Sequence, residues 1–122
     1  MPDTHLQELQ EPEARQAVID VVSDLFKRWQ LHPVNQAELL GIGDMSDLQQ
    51  GRLAGDESLV FERIGHLLAI DRALLKRFPY QDTTRDRWIW QERAQLQGET
   101  PMAFMLRYGL DGIKHIRQLL ES

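Results

Sequence analysis

The chain contains no cysteine. Disulfide staples, thiolate metal sites and a cysteine nucleophile are thereby excluded. No run approaches the roughly 18 consecutive apolar residues that span a bilayer, so no membrane role is expected. The opening MPDTHLQELQEPEAR is polar and acidic and lacks the apolar stretch of a secretory signal. These absences together predict residence in the cytoplasm. Sustained period-two alternation, the mark of half-buried strands, is also missing. So is an excess of positive charge: the formal net charge is −5 over 122 residues. Residues 1–62 carry 12 acids and 4 bases, whereas residues 63–122 carry 7 acids and 10 bases. An acidic front half argues against a free-standing nucleic-acid reader there. The basic rear half can meet an acidic partner.

What is present is helical periodicity, in a chain long enough for one domain or for two small helical units sharing a core. Residues 1–11 read as a flexible leader, with Pro12 opening the first helix. From Glu13 to Trp29, apolar residues Ala14, Ala17, Val18, Val21, Val22, Leu25, Phe26 and Trp29 recur at three- and four-residue steps, a wide stripe. Pro33 then opens a short helix to about Leu40, with Gly41 as its C-cap. Asp44 or Ser46 caps another from Ser46 to about Gln50, and Gly51 and Gly55 break the chain. Long helix, short helix, tight turn and short helix together outline a helix-turn-helix unit.

Glu57 to Phe78 predicts a second long helix with Leu59, Val60, Ile64, Leu67, Leu68, Leu74, Leu75 and Phe78 on its apolar side, stopped by Pro79. Thr84 is a candidate cap for a short helix carrying Trp88, Ile89 and Trp90, and a turn covers Glu92 to Glu99. Thr100 caps a helix that Pro101 opens and Gly109 ends. A last one runs from about Asp111 to Leu120, with Ile113, Ile116, Leu119 and Leu120 on one side. The fold class is therefore all-α, a small helical bundle.

A catalytic centre finds little support. The four histidines, His5, His32, His66 and His115, form no paired metal-ligand spacing. Glu62–His66 and Asp111–His115 are acid–histidine pairs four residues apart, but no nucleophile accompanies either, and surface helix pairing explains them. GIGDMSDLQQG follows no strand and lacks a Walker lysine. Asp71, Asp82 and Asp86 read as solvated residues beside arginines. We assign no catalytic residue, no metal and no cofactor, and expect a protein that is not an enzyme. For DNA, the second short helix offers Ser46, Gln49, Gln50 and Arg52 for base edges or phosphates, opposed by Asp44 and Asp47.

The rear half carries a more distinctive order of features. RDRWIWQERA leads into LQGETPMAFML and then YGLDGIKHIRQLL. Trp88 and Ile89, then Leu96, Gly98, Thr100 and Pro101, then Met105 or Leu106, Gly109, Ile116 and Leu119 or Leu120 follow the pattern of one antitoxin domain. This stretch resembles the toxin-binding domain of the Xre/MbcA/ParS family. In front, LFKRWQLHPVNQAELLGI is similar to the start of the Xre-like helix-turn-helix that precedes that domain. The likeness spans roughly residues 20–120. Two departures stand out: QERAQ replaces the family's proline–asparagine turn, and the second short helix is acidic and lacks its tryptophan.

The resemblance implies a flexible leader at 1–11, an Xre-like helix-turn-helix unit at 12–55 and a toxin-binding domain at 56–122. It also implies a type II antitoxin that occludes the NAD pocket of a RES-domain toxin; the alternatives are a DNA-binding transcriptional regulator or a protein-binding adaptor without a toxin partner. In the antitoxin family a homodimer is common, and many members repress their own operon through operator DNA. In that frame Trp88, Gly98, Thr100, Pro101 and Gly109 build the motif. Arginine favours bidentate pairing and is enriched at interface hot spots, which singles out Arg85, Arg87, Arg93, Arg107 and Arg117. Arg107 and Arg117 are the leading polar anchors toward the toxin, with Tyr108 beside them. Trp88 and Trp90, two residues apart, cannot both face one core. Trp88 holds the family's core position, leaving Trp90 as the interface aromatic.

Overall fold

The computed structural model describes residues 12–53 and 57–122. The leader at 1–11, and Gly55 with the expected boundary between the two units, lie outside the described residues, as does His5. Six α-helices make up the described chain, with no strand among those residues. They are α1 (Pro12–Arg28), α2 (Pro33–Leu40), α3 (Met45–Gln49), α4 (Glu57–Arg77), α5 (Asp82–Arg87) and α6 (Pro101–Glu121). Two 3₁₀ turns, Trp88–Trp90 and Ala94–Leu96, lie between α5 and α6. The all-α expectation holds. No helix among the described residues is long and apolar enough to cross a membrane.

The short helices stop where their sequences dictate. Gly41 takes a left-handed conformation (φ 72°), and Ile42 N–H returns to Ala37 O at 2.9 Å, closing a Schellman cap. Gly51 does the same for α3, with Arg52 N–H reaching Asp47 O at 2.8 Å. At the end of α1 the left-handed residue is Gln30 (φ 55°), and Leu31 N–H closes on Phe26 O at 3.0 Å. At the start of α3 the cap is Asp44, whose carboxylate accepts from Ser46 N–H at 2.8 Å, and His32 Nδ1 accepts from Val34 N–H at the start of α2.

The expected cap at Thr84 is not found. Helix α5 begins two residues earlier at Asp82, and Gln81 stands at its N-cap without a side-chain bond. Trp88, Ile89 and Trp90 follow in the 3₁₀ turn rather than on that helix.

The buried side chains form one apolar cluster to which both halves contribute, including Phe26, Trp29, Leu39 and Leu48 from the front and Ile64, Ile89, Met102 and Ile116 from the rear. Helix α4 packs against α6, α2 touches both, and α1 lies on α4. The ion pairs Arg15–Glu57 and Arg28–Asp71 join the starts of α1 and α4 and then positions 13 and 14 residues further on, so the two helices run parallel. The apolar stripes are narrower than their sequences suggest. Val21, Leu59 and Leu75 are about half exposed, because each lies on a flank of its stripe beyond the packing neighbour. Ile19, Ala69 and Ile70 are buried instead.

Candidate functional site

The most unusual local geometry lies in the last helix. Gln97 (φ 57°) and Gly98 (φ 88°) turn the chain with left-handed backbones, and Thr100 Oγ1 accepts from Ala103 N–H at 3.0 Å. Pro101 occupies the first helical turn, where its missing N–H costs no bond. Met102 and Met105 are fully buried, and Leu106 is partly so. Gly109 then interrupts the helix with φ 63° and ψ −135°, the mirror image of extended backbone, before a second helical segment resumes. At Gly112 a Cβ would lie 2.8 Å from Phe104 O and 3.0 Å from Tyr108 Cβ, so only glycine fits where the two segments fold together.

The break turns an aromatic and cationic rim outward. Phe104 packs on Tyr108 at 4.7 Å between ring centroids and on His115 at 5.1 Å. The Arg107 guanidinium lies 5.3 Å from the Tyr108 ring centre and pairs with Glu99. Arg107 and Tyr108 remain 63% and 50% exposed. This rim is the best-formed exposed aromatic cluster among the sequence candidates.

The other candidates make different contacts. Arg85 is spent internally: its Nη1 lies 3.1 Å from Asp82 and its Nε 3.8 Å from Asp86, and its side chain is only 12% exposed. Arg93 stacks over Trp88 at 4.5 Å and donates to Trp88 O and Gln91 Oε1. Burial, and then the neighbouring charge of Arg77, holds the Arg93 pKa below the usual arginine value. Trp90 is half exposed, and its indole N–H donates to Trp29 O at 2.8 Å, which ties it to the end of α1. It borders a cleft of about 270 Å³ with Arg28, Asp86 and Arg87. Arg117 Nε pairs with Glu121 at 3.1 Å, and its Nη1 lies 3.0 Å from His66 Nδ1. A guanidinium can only donate, so Nδ1 accepts and the imidazole proton falls on Nε2, 3.6 Å from Glu62. The Glu62–His66 pair is thus one link in a strap between α4 and α6.

Around α3, Gln49, Gln50 and Arg52 are exposed and Ser46 is half-buried. The helix covers Met45–Gln49, within one residue of the expected bounds, with Gln50 as its C-cap and Arg52 past its end. The Ser46 N–H bond holds the Asp44 carboxyl below its usual pKa, fixing a negative charge at the front of the helix that would face DNA.

Two arginines that sequence reasoning passed over hold the fold together. Arg28 grips Asp71 with two bonds (2.9 and 3.2 Å) and reaches Asp86 at 3.3 Å. Its pKa is raised by the Asp71 bond first, against the lowering effect of burial, with further help from the charges of Asp71, Asp86 and Asp24. Asp71 and Asp86 are therefore not the free solvated carboxylates expected of them. Asp82 is solvent-facing but paired with Arg85. Arg63 donates to Leu39 O at 3.1 Å and sits against both Gly41 and Gly109. No local signal marks either residue, since each partner is more than 20 positions away in the chain. Among the described residues no group of three or more histidine, aspartate or glutamate side chains is placed to hold a metal ion.

No protein-family model matches the chain, and no curated protein matches it.

Proposed function

We propose that the chain is an antitoxin whose C-terminal half binds a RES-domain NAD-degrading toxin and occludes its pocket. The observation that carries this reading is the construction of α6. A threonine–proline start with buried methionines anchors the first segment, Gly109 breaks the helix, and Arg107 and Tyr108 are left exposed beside Phe104 and His115. The later part of the sequence order that resembles the Xre/MbcA/ParS domain, from Pro101 onward, falls on this element, and its earlier part, Trp88 to Thr100, on the 3₁₀ turns and cap before it. Occlusion asks for shape and a few anchors rather than bond-making groups, which suits a rigid wedge with an aromatic and cationic rim. The structural ties of Arg85 and Arg93 move the weight of the binding proposal onto Arg107 and Tyr108, with Arg117 and Trp90 at its margin.

Operator binding by α2 and α3 is a secondary part of the proposal, resting on the exposed Gln49, Gln50 and Arg52. A gel shift with the upstream DNA tests it separately. The principal test is NAD consumption by a RES-type protein encoded beside this one, assayed with and without the chain. Inhibition by the wild type, and its loss by at least tenfold in an Arg107→Glu/Tyr108→Ala variant that still folds, supports the reading. Undiminished NAD consumption together with no complex on co-expression refutes it.

A further inference from the structure

The C-terminal half of α4 and the last turn of α6 border a cleft of about 530 Å³. Ala69, Ala73 and Leu120 form its floor, and Arg72, Lys76 and Arg77 stand at its rim. At about 100° per residue, Arg72 and Lys76 fall on one side of the Ala69–Ala73 row and Arg77 on the other. Along the helix axis the three cations lie within about 7.5 Å. All three are exposed, and none forms a salt bridge with a described residue. Arg77 Nη2 donates to Leu120 O at 3.3 Å, which holds that guanidinium between the two helices.

The charge at the cleft is uncompensated, on a chain whose net charge is −5. The acid at its edge, Glu121, is taken by Arg117 through two bonds of 3.1 and 3.2 Å. After burial, the charge of Arg77 is what holds the Arg93 pKa down, and Arg93 Nε is buried without a hydrogen-bond partner. Neither of these two guanidinium groups is paired with a carboxylate, in contrast to Arg15, Arg28, Arg85, Arg107 and Arg117. A compact anion placed over the alanine row meets cations from both sides. One carboxylate has too little charge for them. An acidic peptide spaces its same-face carboxylates about 6–7 Å apart, so it meets the cations of one side in succession. A diphosphate concentrates its charge in one short group, and guanidinium forks bind phosphate oxygens in pairs. The cleft is larger than a diphosphate alone and lies in the range of small-ligand sites, about 300–1,000 Å³. Its apolar floor leaves room for an organic body.

We infer that the cleft between α4 and α6 binds a small organic diphosphate of the nucleoside diphosphate class. Arg72 and Lys76 hold the diphosphate from one side and Arg77 from the other, and the organic body lies on Ala69, Ala73 and Leu120. The inference goes beyond the toxin-binding proposal and does not rest on it. The cleft uses the last turn of α6, whereas Arg107 and Tyr108 lie in its first segment, so a chain that inhibits no toxin can still bind such a ligand.

The test is titration calorimetry of the full chain at low salt with three probes: ADP, inorganic pyrophosphate and a short polyglutamate peptide. ADP and pyrophosphate are expected to bind. Arg72→Glu and Lys76→Glu, both at exposed positions, should each weaken the two diphosphates at least fivefold with circular dichroism unchanged. Lys27→Glu, the same charge change at an exposed lysine of α1, should leave both within twofold. Ala73→Leu fills the floor, and should weaken ADP at least tenfold while leaving pyrophosphate within twofold. If that change disturbs the partly buried floor, the swaps at Arg72 and Lys76 still decide the charge half. Four results overturn the inference: no binding of either diphosphate up to about 1 mM, a loss in Lys27→Glu equal to that in the cleft variants, ADP affinity indifferent to a folded Ala73→Leu, or peptide binding as tight as that of ADP. The last assigns the cleft to an acidic protein segment.

Discussion

Replacing Gly109 with alanine is the sharpest probe of how α6 is built. A Cβ there would meet only Arg63, at 3.6 and 3.7 Å, which is ordinary van der Waals distance. Steric crowding is therefore not the cost. The cost is the backbone: φ 63° with ψ −135° is the mirror of the extended region, open to glycine and closed to side chains of L hand. Holding an alanine there costs about 1–3 kcal/mol. Alanine also restricts the unfolded chain, which returns about 0.4–1 kcal/mol. The net loss should be near 1–2 kcal/mol, a fall of roughly 4 °C in Tm for each kcal/mol at this chain length. Gly65 supplies the control. It lies inside α4 with ordinary backbone, and a Cβ added there would meet nothing within 4 Å, so Gly65→Ala should stabilise by about 0.5–1 kcal/mol. Thermal melts of the two variants must therefore move in opposite directions. If Gly109→Ala stabilises as Gly65→Ala does, α6 is one continuous helix, and the break that turns out its rim does not exist.

Removing Arg28 strands two carboxylates that share it. Arg28→Met should cost about 1–2 kcal/mol in denaturant unfolding, the range for charge-assisted bonds reduced for one-third exposure, and Asp71→Asn should cost little more once Arg28 is gone. Truncating Arg63 to alanine leaves Leu39 O without its donor and loosens the packing against Gly41 and Gly109; a loss of about 1 kcal/mol and faster amide exchange at Ile42 are expected. The Asp44 carboxyl has a folded pKa below its unfolded value. Its contribution is thus fully present above the ordinary aspartate range and is lost as pH falls through the lower folded pKa. Amide protection across Met45–Gln49, measured relative to the intrinsic exchange rate at each pH, should fall over that acid window, and Asp44→Ala should abolish this fall while Asp44→Ser keeps the cap.

Much of the fold was legible because its signals are local. Pro33 and Gly41 bracket α2, Asp44 caps α3, and Thr100 with Pro101 starts α6, each through a bond made within five residues. Thr84 misled for the same reason that the others succeeded. A threonine before an apolar run satisfies a local rule, but α5 starts earlier and the tryptophans fall in a 3₁₀ turn whose shape is set by packing. Stripe width was legible only in its centre: whether Val21 or Leu75 is covered depends on which helix lies alongside, and periodicity does not name that neighbour. The site divides likewise. Arg107 and Tyr108 could be singled out from their place beside Gly109. The use of Arg85 and Arg93 as internal struts could not, because stacking on Trp88 and pairing with Asp82 and Asp86 depend on the fold of the whole 82–99 segment.

The arginines therefore separate by what already holds them. Arg28, Arg63, Arg85 and Arg93 bond to carbonyls or carboxylates of the chain itself, so replacing any of them perturbs the fold before it perturbs a partner. Arg72 and Lys76 have no such bond among the described residues, and Arg107 keeps most of its surface despite Glu99. A free cation loses little by changing partners, whereas a bonded one must first give up a bond worth about 1.5–3 kcal/mol. Recognition should concentrate where charge is unspent: at the α4–α6 cleft and at the rim beside Gly109. These two surfaces use different parts of α6, its last turn and its first segment. Charge swaps in the cleft should accordingly leave the proposed toxin inhibition intact, whereas Arg107→Glu/Tyr108→Ala should abolish it. Loss of that inhibition in the cleft variant as well would mean that the surfaces are one.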